Sequence, residues 1–384
     1  MDFELNEDQR AFADTAQQFA DERLAPMAAE WDEKQIFPKD VLREAGELGF
    51  LSLYTPEEHG GLGLSRLDAS IIFEQLAMGC TSTTAFMTIH NMVSWMIASF
   101  ATDEAKTQFC PKLVTGEWLG SYCLTEPNAG SDAAALTTSA TKKGDKYVIN
   151  GGKTFISGAG ETDVLVVMAR TGDEGAKGVS AFVVPAQADG ISYGRKEPKM
   201  GWNSQPTRAV TFENVVIPAS HLLGEEGQGF VFAMKGLDGG RINIATCSVG
   251  TAQQALEQAT QYIQERKQFG KPLAQFQALQ FKLADMATEL VAARQLVRYA
   301  ASKLDRNDPD ATAYCAMAKR FATDVGFQVC DHALQLYGGY GYIKEYPMER
   351  HFRDVRVHQI LEGTNEIMRL IIARRLLSEE SALL

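Results

Sequence analysis

The chain has 384 residues, a length that fits about two to three domains. Its 45% hydrophobic and 22% charged residues are ordinary for a globular protein with a large buried core. The net charge of −12, from 37 basic and 49 acidic residues, argues against nucleic acid as a partner, because such binding rests on basic surface that neutralises phosphates.

The opening MDFELNEDQR is acidic and lacks the apolar stretch of a signal peptide. That fits a bacterial cytoplasmic protein, or a mitochondrial matrix protein if the chain is a processed one. Helices follow over residues 1–118. EDQRAFADTAQQFADERLAPMAAEWDEK sets Phe12, Ala16, Phe19 and Leu24 near one face. After the glycine-rich HGGLGLS come RLDASIIFEQLAMGC and TSTTAFMTIHNMVSWMIASF. The longest apolar run, FMTIHNMVSWMIASFA, is broken by His90 and Asn91 and is short for a bilayer, so no stable membrane insertion is expected.

Residues 119–227 read as strands. DKYVINGGKTFISG has the pattern of a strand, an Asn-Gly turn and a second strand, and DVLVVMAR, VSAFVVPA and RAVTFENVVIP are β-branched runs between turn residues. Helices return over 228–384. Val249, Ala252, Leu256, Ala259 and Ile263 step by three and four. Leu279, Leu283, Met286, Leu290, Ala293, Val297 and Ala300 make a heptad seam, as in a helical bundle. A third helix over about 311–336 stops at YGGYGY, and a last one starts near Asn365. The order helices, strands, helices is not that of a doubly wound fold, and no GxGxxG follows a strand.

Several stretches can carry chemistry. YCLTEPNAGSD, residues 122–132, is either an ordinary turn or a loop whose backbone N–H groups approach a polar ring or phosphate. ERKQFGKPLAQFQ sets Arg266, Lys267 and Lys271 around a Phe-Gly break, either as a solvated helix end or as a phosphate site. In LDGGRINIA, Asp238 and Arg241 pair with each other or line a pocket. Trp202 reads as packing, and His351 and His358 as surface or supporting groups. The histidines are not clustered and the six cysteines contain no CxxC, so no metal site is expected; the cysteines read as buried thiols. In LEGTNE, Glu362 is either a solvated acid or a base.

Together, YCLTEPNAGSD, FISGAG, ERKQFGKP, QLYGGYGY and LEGTNEI resemble, in register, the signature segments of the acyl-CoA dehydrogenases, and the resemblance spans essentially the whole chain. It implies an α+β multidomain fold: an N-terminal helical domain, a middle β-barrel and a C-terminal four-helix bundle. It also implies a homotetramer with FAD at a subunit interface, an acyl-CoA substrate and an electron-transfer flavoprotein as acceptor.

Carried over by position, Glu362 matches the catalytic base. Tyr122, Leu124, Thr125, Gly130 and Ser131 match flavin-lining residues, and Phe155, Ile156 and Ser157 match those packing on its ring. Arg266, Phe269, Phe276 and Gln277 match residues reaching the FAD of a neighbouring subunit; Gln335, Gly338 and Gly339 match its pyrophosphate side. Thr364, Asn365 and Glu366 match further flavin contacts. Ser131, Asp238, Arg241, Gly363 and Arg374 match positions near the acyl-CoA. In some branches the base precedes the LDGGR arginine; here that position is Gly240, which leaves Glu362.

Within the family, CTSTTAF, HNM, ISGAGE, GWNSQPTRAV and GLDGGRINIATCSVG are similar to a branch acting on short 2-methyl-branched acyl-CoA. This implies oxidation of isobutyryl-CoA to methacrylyl-CoA in valine catabolism. The alternatives are 2-methylbutyryl-CoA and butyryl-CoA, since one methylene changes discrimination by only about 1–3 kcal/mol. An acyl-CoA oxidase, expected to be longer, and a flavin-less helical scaffold are more distant alternatives.

Overall fold

The structure is a computed structural model that describes residues 4–379 and 383. The N-terminal helices are α1 (Glu7–Phe19), α2 (Ala28–Lys34), α3 (Lys39–Glu47), α4 (Arg66–Gly79), α5 (Thr81–Phe100) and α6 (Asp103–Val114). Side chains that satisfy orphan N–H groups start three of them: Asn6 with Gln9 as a capping box on α1, Ser65 on α4 and Thr102 on α6. Ala16, Phe19 and Leu24 are buried and Phe12 packs against the same cluster, as their spacing predicts. A π turn over Ala20–Leu24 adjusts the phase.

Helix α5 is the long apolar run, folded inside the protein. Its two polar interruptions are satisfied: Asn91 accepts from Leu53 N–H at 2.8 Å and donates to the Phe50 carbonyl, and His90 bonds the Leu113 carbonyl at 2.9 Å. Among the described residues, no helix is long and apolar enough to cross a membrane.

The middle region comprises β1 (Gly120–Cys123), β2 (Ser139–Lys143), β3 (Lys146–Ser157), β4 (Val164–Arg170), β5 (Val179–Pro185), β6 (Ile191–Tyr193), β7 (Thr207–Pro218) and β8 (Leu222–Leu223). They form one sheet in the order β6-β7-β3-β2-β4-β5-β8, with β1 parallel to β4. Alternation along β4 shows how it folds over. Leu165, Val167 and Ala169 pack with Tyr147 and Ile149 of β3 and Val210 and Phe212 of β7. Val164, Val166 and Met168 face Val93, Met96 and Phe109 of the helices.

One expectation fails here. Asn150-Gly151 is not a hairpin turn; it lies inside the continuous strand β3, at a register shift against β7. Gly151 has φ +140, and a Cβ there would come 2.6 Å from the Cα of Thr138. The glycine serves a bulge and a close backbone approach. The tight turn falls at Gly144-Asp145, where Lys143 pairs with Lys146.

The C-terminal helices are α7 (Gly229–Glu265), α8 (Gln277–Asp305), α9 (Ala311–Tyr337), α10 (Met348–Arg356) and α11 (Asn365–Leu376). Met286, Leu290, Ala293, Val297 and Ala300 of the seam are buried against Ala252, Ala259 and Ile263 of α7 and Ala322, Val325 and Val329 of α9. The Phe-Gly break between α7 and α8 is a small hairpin, β9 (Lys267–Gln268) and β10 (Lys271–Pro272). Phe269 and Gly270 both take positive φ at its tip, as a two-residue hairpin turn requires. Gly338, at φ +60, ends α9 as expected.

Candidate active site

Glu362 lies just before α11, which Thr364 caps: the Thr364 hydroxyl accepts from Ile367 N–H at 3.3 Å. The chain enters through two consecutive left-handed residues, Glu362 at φ +55 and Gly363 at φ +90. A non-glycine residue held there is strained and needs surrounding structure to fix it.

Two helices supply that structure. From α9, the Lys319 ammonium, 0% exposed, donates to the Gly363 carbonyl at 2.7 Å and to Asn365 Oδ1 at 2.9 Å. Asn365 in turn donates to Thr323 Oγ1 at 2.9 Å and Asp324 Oδ1 at 2.8 Å. From α7, Arg241 bonds Asp238 at 2.6 Å and reaches the Glu362 carbonyl at 3.4 Å, while Thr312 donates to the other Asp238 oxygen at 2.6 Å. Also from α7, Gly240 leaves the room that the carboxylate occupies: a Cβ there would lie 1.8 Å from Oε2.

The carboxylate is half inside the protein, and its Oε2 is buried with no hydrogen-bond partner. Burial raises its pKa from 4.5 to about 7, against the downward pull of Arg241 and Lys319. Tyr122 of β1 also has a buried hydroxyl without a partner, and its pKa is raised by burial and by the nearby Glu362 charge. Two unpaired buried oxygens therefore converge from the sheet and the bundle. Such groups are rare unless a ligand completes them. An acid neutral near pH 7 but able to ionise there suits proton abstraction.

The loop after β1 is fixed from behind. Lys153 of β3 donates to the Leu124 carbonyl at 3.0 Å and to Glu126 at 2.8 Å. Glu126 also accepts from Thr137 N–H and Thr138 N–H at 2.7 and 2.9 Å. Thr154 N–H donates to the Thr125 carbonyl at 2.9 Å, which joins this loop to the end of β3. There Phe155 takes φ +57 and leaves its ring 68% exposed, between the bulge and buried Ile156. The Ser157 carbonyl accepts from Ser121 at 2.7 Å. Leu124 is buried, Thr125 half-buried, and Gly130 and Ser131 are exposed, with open space where a Gly130 Cβ would be.

A second group lies elsewhere. Arg266, Gln335, Gly338 and Gly339 line one groove of about 620 Å³. Phe269 is 92% exposed beside it, 6.1 Å from Phe276, with Gln277 exposed at the start of α8. Gln335 is sixteen residues along α9 from Lys319, about 24 Å at the helical rise. Within one chain this group is remote from Glu362.

Other expected residues separate as well. Glu366 is exposed. Asn365 is buried, and its side chain is given to Lys319, Thr323 and Asp324, so its part here is to tether the turn. Arg374 is exposed on the last turn of α11, nine residues and about 14 Å of helix beyond Asn365, and is not among the groups around the carboxylate. Trp202 packs with Ala85 and Ile244, as its sequence context predicts, and donates to His358 Nε2 at 3.2 Å. His351 and His358 are buried rather than superficial, and the six cysteines are buried free thiols. Sequence reasoning does not single out Lys319 or the Lys153–Glu126 pair. A lone lysine on the apolar stripe Cys315, Ala318, Ala322 of α9 is the signal that points to the former.

Three family models match in chain order: acyl-CoA dehydrogenase N-terminal domain over residues 6–117, middle domain over 121–215 and C-terminal domain over 227–377. The chain is 55% identical to isobutyryl-CoA dehydrogenase, mitochondrial, of Bos taurus, covering 98% of this chain and 90% of that protein. It is 54% identical to the Dictyostelium discoideum protein of the same name, covering 98% and 91%. The structure of butyryl-CoA dehydrogenase from Megasphaera elsdenii superposes with a TM-score of 0.95 at 41% identity, covering 98% of this chain and all of that one. With the helical, sheet and helical regions in the family's order and these relatives matching nearly end to end, the chain belongs to the acyl-CoA dehydrogenase family.

Proposed function

We propose that this protein oxidises a short 2-methyl-branched acyl-CoA, isobutyryl-CoA, to its α,β-unsaturated product, with Glu362 as the base. The observation that carries this reading is the buried, unpartnered Oε2 of Glu362, with burial raising its pKa to about 7. Both relatives named above, at 55% and 54% identity, carry the isobutyryl-CoA dehydrogenase name, which supports the substrate. They are named as mitochondrial, which supports a matrix location for a processed chain.

The α-proton of a thioester is weakly acidic. Its removal needs a base held at the carbon and donors at the thioester oxygen, where charge develops. Glu362 supplies the base, and its desolvation makes it a stronger one. Gly240 leaves the carboxylate its place, and Arg241 and Lys319 hold the backbone on either side of it. The Gly363 N–H is the donor we assign to the thioester oxygen, its φ of +90 suiting a glycine. Asp238 and Arg241, paired and buried, form the wall on the acyl-CoA side.

The family is FAD-dependent. The residues fit such a group: an orphaned buried Tyr122 hydroxyl, an exposed Phe155 ring on a strained bulge, and a glycine loop braced by the buried Lys153–Glu126 pair. Leu124, Thr125, Gly130, Ser131, Phe155, Ile156, Ser157 and Thr364 would hold it, and when bound it accepts the β-hydrogen as hydride. The remote group of Arg266, Phe269, Phe276, Gln277, Gln335, Gly338 and Gly339 would serve the FAD of a neighbouring subunit in a homotetramer. An electron-transfer flavoprotein is the acceptor that re-oxidises the enzyme.

The test is steady-state turnover of the FAD-loaded protein on isobutyryl-, 2-methylbutyryl-, butyryl- and octanoyl-CoA, with a dye or electron-transfer flavoprotein as acceptor. The highest kcat/KM is expected on isobutyryl-CoA. Preference for butyryl- or octanoyl-CoA would overturn the substrate and leave the chemistry.

A further inference from the structure

Lys319 is a buried cation that the reaction chemistry does not itself require. It is 0% exposed, nine residues into the 27-residue α9, on a face shared with Cys315, Ala318 and Ala322. A lysine is seldom placed so deeply without a partner of opposite charge in contact. Its two bonds go instead to neutral oxygens, the Gly363 carbonyl and Asn365 Oδ1, on either side of the turn that follows Glu362.

The other cation at the site is differently placed. Arg241 has a carboxylate partner, Asp238, at 2.6 Å, so much of its field is cancelled at contact. The charge of Lys319 is not cancelled in this way, and the acid with which it interacts most strongly is Glu362. The carboxylate itself stays free of hydrogen bonds at Oε2. A direct ion pair would lock the carboxylate in its ionised state and draw it from the substrate; a bond to the neighbouring backbone leaves it in place and able to titrate.

We propose that Lys319 is a positioning residue for the base: it clamps the Gly363–Asn365 turn so that Glu362 is held in its left-handed conformation against Gly240, and its charge favours the ionised carboxylate without contacting it. This rests on Glu362 being the base. The groups facing Glu362 are Arg241 and Cys247 on α7, Tyr122 on β1, Tyr54 before α4 and Lys319 on α9. Burial raises the thiol and both tyrosines, so they stay neutral around pH 7. Burial lowers Lys319 to about 8, with Glu362 opposing, so it remains largely charged while Glu362 titrates near 7.

The test compares FAD-loaded wild type, Lys319→Met, Lys319→Arg and Glu362→Gln. The readouts are the pH dependence of kcat and the infrared band of the protonated Glu362 carboxyl, identified by its loss in Glu362→Gln. Lys319→Met is expected to move both the acid limb and the infrared titration upward by about half a pH unit or more, and to lower kcat at pH 6.5 at least about threefold. KM should change less than kcat, and Lys319→Arg should return the limb toward wild type. A Lys319→Met enzyme that folds and binds FAD but keeps the wild-type limb and band overturns the proposal. If Lys319→Met does not fold, Lys319→Gln, which keeps a donor without the charge, takes its place: an upward shift of limb and band supports the proposal, and an unmoved limb and band overturn it. Full activity in Glu362→Gln would instead overturn the base assignment, and the proposal with it.

Discussion

Gly240 and Glu362 are complementary: a Cβ built on Gly240 would lie 1.8 Å from Oε2 and 2.6 Å from the carboxyl carbon of Glu362. The Glu362 carboxylate, the proposed base, occupies the space of a missing side chain on α7. In a helix interior alanine is favoured over glycine by about 1 kcal/mol, so the glycine is held there against local propensity. Gly240→Ala should displace the carboxylate by about an ångström and lower kcat about a hundredfold, with FAD content unchanged. Stopped-flow reduction of the bound flavin checks this; a variant keeping more than half the wild-type rate would sink it.

Glu362→Gln removes the proposed base and keeps the shape. Loss of a positioned general base lowers rates by about 10² to 10⁴, so turnover on isobutyryl-CoA should fall by that range while substrate binding persists. Retention of most of the rate would place the base elsewhere.

Glu362 also links stability to pH. Its carboxyl ionises above about 7 when folded but above 4.5 in its ordinary state. Between these values the folded chain holds a proton that the unfolded chain has lost. This group's contribution to stability therefore declines as pH rises from 4.5 to 7, and the cost persists above 7. Glu362→Gln, which never ionises, should melt at a higher temperature than wild type at pH 8, with the difference vanishing near pH 4. Thermal unfolding across that range checks the sign, and a difference that grows toward acid pH would refute it.

Lys153 and Glu126 form a buried pair, 1% and 5% exposed, behind the loop after β1. Burial alone would raise Glu126, but its bonds from Lys153 and Thr138 hold it at about 2. Lys153→Met leaves that carboxylate buried without its cation. The expected cost is about 3–5 kcal/mol of stability, with weaker FAD retention as the Leu124 carbonyl is released. Denaturant unfolding and flavin content measure both, and an unchanged midpoint would show the pair to be dispensable.

Phe269, 92% exposed at the tip of a small hairpin, has little to hold it within one chain. If it enters a neighbouring subunit, Phe269→Asp should lower the assembly state on sedimentation and release FAD, while leaving the monomer's helicity intact. A tetramer with full flavin content would rule out this contact.

Much of the architecture is legible in the sequence because it follows from local periodicity. The seam from Leu279 to Ala300 needs only the 3.6-residue repeat, and the β-branched runs of β4, β5 and β7 need only their composition and turn borders. Glu362 stands out by the resemblance of its segment, and Gly240 excludes the rival position. What local pattern does not reveal is decided by contacts between distant segments. Asn150-Gly151 is a turn by local preference, yet Thr138 and β7 make it a bulge within a strand. Asn365 reads as an open contact, yet Lys319, Thr323 and Asp324 on α9 take all its bonding groups. Arg374, expected near the acyl-CoA, is exposed on the last turn of α11, about 14 Å of helix beyond Asn365. The unpaired state of Glu362 arises where α7, α9 and β1 meet, and its backbone neighbour Arg241 is 121 positions away in the chain. Residue type and spacing determine which elements form and which groups have the right chemistry; desolvation and the absence or presence of a partner depend on packing between elements, and so belong to the tertiary structure alone.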